Sequence, residues 1–184
     1  MEVEMFSVER EDEVKFMLLY HGSNVVIKEP KLLNQTRGLD FGPGFYLTTS
    51  EKQAANFSKI VFNRTKTGSS MVNVYEYNNT TAEKMLFIKK FEKAETEWLR
   101  FVAENRLKTY QGIQYDMVIG PVANDTVMPA IQAYLNGLIN EEATLITLKT
   151  SKLVDQMCFK TEKTFSFLKF INAYDIMNKS HANE

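Results

Sequence analysis

One cysteine, one tryptophan, two histidines and four prolines in 184 residues leave several kinds of protein out. A lone thiol, Cys158, can form neither an internal disulfide nor a cysteine-based metal cluster, which fits a reducing compartment. With His21 and His181 the only imidazoles, no metal is expected. Lys and Arg number 22 against 23 Asp and Glu, so no broad basic field draws the chain onto phosphate backbones or anionic membranes. No apolar run is long enough to span a bilayer. Residues 1–16 carry Glu2, Glu4, Glu9, Glu11, Asp12 and Glu13, the wrong sign for a secretory leader. The cytoplasm is the expected compartment, and sequons such as Asn63-Arg64-Thr65 carry no meaning there.

What is present is apolar and aromatic: 44% hydrophobic residues, with thirteen Phe and eight Tyr. That is enough for one substantial core and too little for two. The reading is an acidic segment 1–16, one domain over 17–178 and a tail 179–184.

Along the domain, Met17 to His21 reads as a strand delivering His21 to a turn at Gly22-Ser23. The polar, glycine-rich stretch Asn34 to Gly44 feeds the β-prone segment Phe45-Tyr46-Leu47-Thr48. Ser50 with Gln53 forms a capping box for a helix whose apolar face is Ala54, Phe57 and Val61. Met71 to Tyr77 and Leu86 to Ile88 read as strands. Phe91, Ala94, Trp98, Phe101 and Val102 mark an amphipathic helix with Trp98 in the core, and Lys89, Lys90 and Lys93 with Glu92 and Glu95 read as its solvated face.

Asp116 to Gly120 is the next strand. Val127, Ile131, Tyr134 and Leu138 mark a helix capped by Asp125 or Thr126. Leu145 to Leu148, Gln156 to Lys160 and Phe165 to Ile171 give two strands and one run whose type stays open. The order is mixed, without the glycine-rich βα turn of a doubly wound dinucleotide-binding sheet.

The chemistry concentrates in Tyr20-His21-Gly22-Ser23 and in Asp40-Phe41-Gly42-Pro43-Gly44-Phe45-Tyr46-Leu47-Thr48-Thr49-Ser50, followed by Gln53-Ala54. This pattern resembles the diphtheria-toxin-like, or poly(ADP-ribose)-polymerase-like, branch of the ADP-ribosyltransferase superfamily. More closely, it is similar to a bacterial family of small toxin-like proteins long catalogued as a domain of unknown function. That likeness runs from Leu18 to Ile171 and takes in Glu97-Trp98-Leu99, Asn105-Arg106, Tyr115-Asp116, Gly120 to Asp125 and Gln156 to Phe159.

The resemblance implies an α+β domain of two small packed sheets forming a split NAD-binding cleft with helices around it. It implies NAD⁺ as substrate and transfer of a single ADP-ribose to a macromolecule, protein or nucleic acid, with a cognate antitoxin as partner. NAD⁺ hydrolysis, or an inactive NAD⁺-binding module, is the alternative. Tyr46 would stack on the nicotinamide, worth roughly 0.5–1.5 kcal/mol beyond burial. Gly42 and Gly44 would let backbone approach the ligand, beside Phe41. Gly22 would bond the nicotinamide carboxamide, His21 the adenosine ribose, and Ser23 would support the cradle. Arg37 would meet the pyrophosphate.

The branch commonly places Glu at the start of a late strand, and here that position reads as Gln156. An anion about 4 Å from a growing positive charge is worth roughly 4 kcal/mol at an effective dielectric near 20, about a thousandfold in rate. Either the acceptor supplies a carboxylate, or turnover is slow, or Glu162 or Asp155 takes the third position. Cys158 reads as inert core, and Gly120 to Asp125 as a strand end, turn and cap.

Overall fold

The computed structural model describes residues 15–33, 37–151 and 153–179. The expectations for residues 1–14 and for His181 lie outside the described residues. Strand β1 (Phe16–Ser23), β3 (Met71–Asn78) and β7 (Leu168–Asp175) form one antiparallel sheet in the order β1-β3-β7. A second sheet takes β2 (Phe45–Leu47), β6 (Asp155–Phe159), β5 (Met117–Pro121) and β4 (Ile88–Lys90) in that order, with only the β4–β5 pair parallel. The chain is therefore a single α+β domain with two small sheets.

The sheets share a core because their strands alternate. Leu19 and Tyr75 of the first sheet pack with Phe45, Leu47, Met117, Met157 and Phe159 of the second. Leu19, Tyr75, Met117 and Phe159 are fully buried, each worth roughly 1.5–3 kcal/mol. Residues of opposite parity face outward and are covered by helices. On the first sheet, Val72 and Val74 meet Ala54 of α1 (Glu51–Thr65).

On the second sheet, Val118 and Cys158 meet Trp98, Leu99 and Val102 of α3 (Thr96–Leu107), Ile131 of α4 (Met128–Leu135) and Leu148 of α5 (Glu141–Lys149). Four layers result: helix, sheet, sheet, helices. The short α2 (Asn79–Met85) follows β3, and α6 (Ile176–Lys179) follows β7.

Several expectations shift. Ser50 caps α1 by accepting from the Gln53 amide at 3.3 Å, but the Ser50 amide goes to Thr48 Oγ1, so only half of the capping box forms. Phe57, expected on the apolar face with Ala54 and Val61, is 39% exposed. The helix expected from Phe91 starts at Thr96, and Lys89 and Lys90 lie on β4, so these lysines do not form a helix face. Neither Asp125 nor Thr126 caps α4, whose N-cap is Val127 with Pro129 in its first turn. Leu145 to Leu148 is helical, capped by Asn140 accepting from the Ala143 amide at 2.9 Å. Phe165 begins inside a 3₁₀ turn (Glu162–Phe167) before β7. Among the described residues, no helix is long and apolar enough to cross a membrane.

Candidate functional site

Besides their shared core, the two sheets are joined by backbone hydrogen bonds at a seam. Tyr20 and Thr48 exchange backbone hydrogen bonds at 2.8 and 3.0 Å, an isolated antiparallel bridge between β1 and the residue that follows β2. A ladder continuing in that register would next pair Gly22 with Tyr46. It does not form, because the Tyr46 carbonyl accepts instead from His21 Nδ1 at 2.7 Å.

The unbroken register of β1 with β3 settles where the Gly22 backbone points. In an antiparallel strand, alternate residues aim both N–H and C=O at the same neighbour. Tyr20 aims at β2, so Gly22 does too, and among the described residues neither of its backbone groups gains a partner there. A donor and an acceptor therefore stand side by side at the seam.

Gly22 has a packing role as well. A Cβ there would stand 2.1 Å from the Ala54 carbonyl oxygen and 2.7 Å from the Ser58 nitrogen. Helix α1 thus lies directly on the β1 backbone, and only glycine lets it.

His21 sits on the inner face, its ring stacked on Phe45 at 4.4 Å between centroids and 25° between planes. Burial lowers its pKa, the bond to the Tyr46 carbonyl opposing only in part. A carbonyl only accepts, so in the neutral ring Nδ1 carries the proton and Nε2 is left as the acceptor. A depressed histidine pKa contributes stability that is present above the ordinary value near 6.5 and lost as pH falls through the folded value. Acidification from pH 7 to 5 is expected to destabilise the protein more than it destabilises His21→Gln. Parallel melting curves of the two proteins across that range check this, and equal acid sensitivity would show that His21 carries none of the effect.

Tyr46 points the other way, onto the outer face. Its hydroxyl donates to the Gly42 carbonyl at 2.6 Å and accepts from the Phe41 amide at 3.1 Å. Burial, and then the neighbouring Cys158, push the phenol well above its usual pKa. The rings of His21 and Tyr46 are thus not brought together; they meet through the Tyr46 carbonyl.

The glycine-rich motif is a braced turn. Gly42 adopts φ +76° and donates to the Leu39 carbonyl at 3.1 Å, and a side chain at that φ would be strained. Lys160, which the sequence reading did not single out, donates to the Phe41 and Pro43 carbonyls. Phe41 is fully buried against Phe91 and Phe101, so it offers the site only its backbone. Gly44 lies against Cys158 on β6. Cys158 is buried with its thiol pushed up to about 12, which suits core and not nucleophile. Ser23 is buried and its hydroxyl accepts from the Val25 amide at 3.4 Å.

Gln156 is also on the outer face. Its register on β6 places it in line with Thr48, two positions past the Tyr46↔Cys158 pair. Its amide nitrogen donates to Asp40 Oδ2 at 2.8 Å and to the Pro121 carbonyl at 3.4 Å. Asp40 also accepts from the Ala123 amide at 3.0 Å and from Arg106 Nε at 2.8 Å. So Gly120 to Asp125 does more than turn the chain, since Ala123 helps to hold Asp40. Asp155, one of the alternatives for the third position, accepts instead from Thr49 Oγ1 at 2.6 Å. Glu162, the other, opens the 3₁₀ turn beyond β6.

The flank of α1 completes the outer side of the seam. Ala55 faces Tyr174 and Ile176 at the β7 edge, so the opposite flank faces the β1 side of the sheet. Phe57 and Arg64, seven residues apart, share that flank. Arg37 is exposed, two residues before the braced turn begins at Leu39. Partial desolvation, and then the charges of Arg64 and Arg106, lower its pKa, and Tyr46 lies within the same field. Two surface hollows lie elsewhere: one of about 450 Å³ lined by Glu51, Lys52, Ala55, Tyr174 and Ile176, and one of about 220 Å³ between Phe91, Gly120, Leu153 and Asp155.

Residues 17–170 match the model of a family described as a protein of unknown function, DUF3990. The chain belongs to the DUF3990 family. The match contains the seam, the braced turn and the Asp40–Gln156 contact, so all three lie within the DUF3990 domain. No curated protein matches the chain.

Proposed function

We infer that the chain is a mono-ADP-ribosyltransferase that binds NAD⁺ at the seam between the two sheets. The observation that carries this reading is the interrupted ladder at Gly22. Among the described residues its N–H and C=O stand beside each other without a strand partner, and a primary carboxamide, with one C=O and one NH₂, is complementary to such a pair. Nicotinamide is a carboxamide on a flat ring, and Tyr46 and the exposed Phe57 flank the seam with aromatic surface. Arg37 and Arg64 add positive charge for a pyrophosphate. His21, neutral with Nε2 accepting, suits a ribose hydroxyl donor. In the reaction the bond from ribose to nicotinamide breaks, nicotinamide leaves with the electron pair, and an acceptor nucleophile bonds the same carbon.

Calorimetric titration with NAD⁺ tests binding, with free nicotinamide as competitor. Wild type is expected to bind NAD⁺, nicotinamide to weaken that binding, and His21→Ala to lower the affinity at least about tenfold, the equivalent of one well-placed hydrogen bond. No binding at millimolar NAD⁺, or no competition by nicotinamide, removes the seam as the site. Incubation of a lysate with labelled NAD⁺ then separates transfer to a macromolecule from release of free ADP-ribose, the signature of water as acceptor. Toxicity on expression, relieved by His21→Ala, would support a toxin role.

A further inference from the structure

The side chain of Gln156 has only one chemically consistent orientation. The end of its amide inside the protein faces two oxygens that accept: Asp40 Oδ2 at 2.8 Å and the Pro121 carbonyl at 3.4 Å. That end is therefore the NH₂, and the carbonyl oxygen Oε1 is the other. Oε1 makes no hydrogen bond to a described residue. Among the described residues no buried side-chain nitrogen or oxygen lacks a partner, so Oε1 reaches solvent even though the residue is only 6% exposed. One pole of the amide is anchored and the other is presented outward.

Asp40 is built to be that anchor. It is 5% exposed and lies in the turn between Leu39 and Gly42 that carries the glycine motif. Oδ1 takes Arg106, and Oδ2 takes both the Ala123 amide and Gln156. It thus links the turn bearing Tyr46's partners to the start of β6, across 116 residues of sequence. Arg106 offsets its charge, so the carboxylate can remain buried while accepting from a neutral amide.

We propose that Asp40 is a positioning residue that locks Gln156 with its carbonyl oxygen toward the ligand, making the pair a fixed acceptor for a substrate hydroxyl. This rests on the NAD⁺ reading for the identity of that hydroxyl, a ribose hydroxyl of the donor. It does not rest on that reading for the orientation itself. A consequence runs against simple charge counting. Glu in place of Gln156 would bring the carboxylate a transferring site favours, but it would also set two carboxylates face to face where a 2.8 Å donor–acceptor bond now stands. Gln156→Glu is therefore expected to slow turnover.

The test compares Asp40→Ala, Asp40→Asn, Gln156→Glu and the double variant Asp40→Asn/Gln156→Glu in nicotinamide release from NAD⁺. The asparagine in Asp40→Asn can still accept from Gln156 through its own side-chain carbonyl, whereas the methyl group in Asp40→Ala cannot. Asp40→Ala is expected to lower kcat about tenfold, the rate equivalent of one orienting hydrogen bond, with KM within about threefold. Asp40→Asn should stay closer to wild type. Gln156→Glu should fall below wild type, and adding Asp40→Asn should raise it again, which a purely structural role for Asp40 does not predict. Gln156→Glu as fast as wild type or faster, or Asp40→Ala with unchanged kcat, overturns the proposal.

If wild type neither binds NAD⁺ nor releases nicotinamide, the NAD⁺ reading fails, and the side-chain amide protons of Gln156 in nuclear magnetic resonance decide the orientation alone. A shifted, slowly exchanging pair in wild type and Asp40→Asn that reverts to solvent values in folded Asp40→Ala supports the anchor. A pair unaffected by Asp40→Ala overturns it.

Discussion

Gly22→Ala is expected to lower stability by about 3 kcal/mol and to abolish NAD⁺ binding together. The added methyl would stand 2.1 Å from a backbone oxygen of α1 and 2.7 Å from a backbone nitrogen. Neither atom can swing aside as a side-chain tip would, so the helix must lift from the sheet, which places the cost at the upper end of that for overpacking. For a chain of this size that corresponds to a fall in Tm of roughly 6–12 °C. Displacing α1 also moves Phe57 and Arg64 away from the seam and disturbs the paired N–H and C=O of Gly22. Ser23→Ala, which removes only a 3.4 Å bond to the next turn, serves as the control and should stay within about 1 kcal/mol of wild type. Thermal unfolding and NAD⁺ titration of both variants check the pairing of effects. A Gly22→Ala protein with wild-type Tm would mean that α1 does not rest on β1.

How much of this was legible in the sequence depends on how local the cause is. The strand that carries His21, the capped start of α1 and the strand of Met71 to Tyr77 follow from short-range alternation and capping, and they form close to where those patterns put them. Four-residue runs such as Leu145 to Leu148 carry no decisive period, and a capping Asn140 outside the run makes that one helical. Phe57 fits a helical stripe with Ala54 and Val61, yet the flank it occupies lies toward the β1 side of the sheet and stays exposed.

Gly42 was legible as a turn residue, but Gly22 and Ser23, expected in a turn, lie inside β1 paired with Val72 and Met71, and the reason for Gly22 was not legible, since it lies in a helix more than thirty residues downstream. The alternation along β2 predicts that Tyr46 and Phe45 face opposite ways, although a strand of three residues gives no inner and outer face until the second sheet closes over it. Asp40 reads as one more turn residue in sequence. Its contact with Gln156 depends on the long return of β6 beside β2, and no spacing rule reaches that far.

Arg106→Ala is expected to cost about 3 kcal/mol, because it leaves Asp40 as a buried carboxylate with amide donors alone. Removing one partner of a buried ion pair costs roughly 3–5 kcal/mol, most of it the penalty of the charge left behind. The low end applies here, since the Arg106 side chain keeps 23% of its surface while Asp40 keeps 6%. The same reasoning predicts coupling. Asp40→Asn removes the charge that Arg106 neutralises, so Asp40→Asn/Arg106→Ala should be more stable than Arg106→Ala, and the two substitutions should fall short of additivity by about 1–3 kcal/mol. Arg37 provides the contrast. It stands at the surface near Arg64 and Arg106, so Arg37→Ala relieves like-charge repulsion and should leave stability within about 0.5 kcal/mol of wild type while weakening NAD⁺ binding. Denaturant unfolding of the five proteins measures the cycle, and additive effects of Asp40→Asn and Arg106→Ala would show that the pair is not coupled. If Arg37→Ala lost stability as Arg106→Ala is expected to, the division between a structural arginine that fixes Asp40 and a surface arginine free to meet a phosphate would not hold.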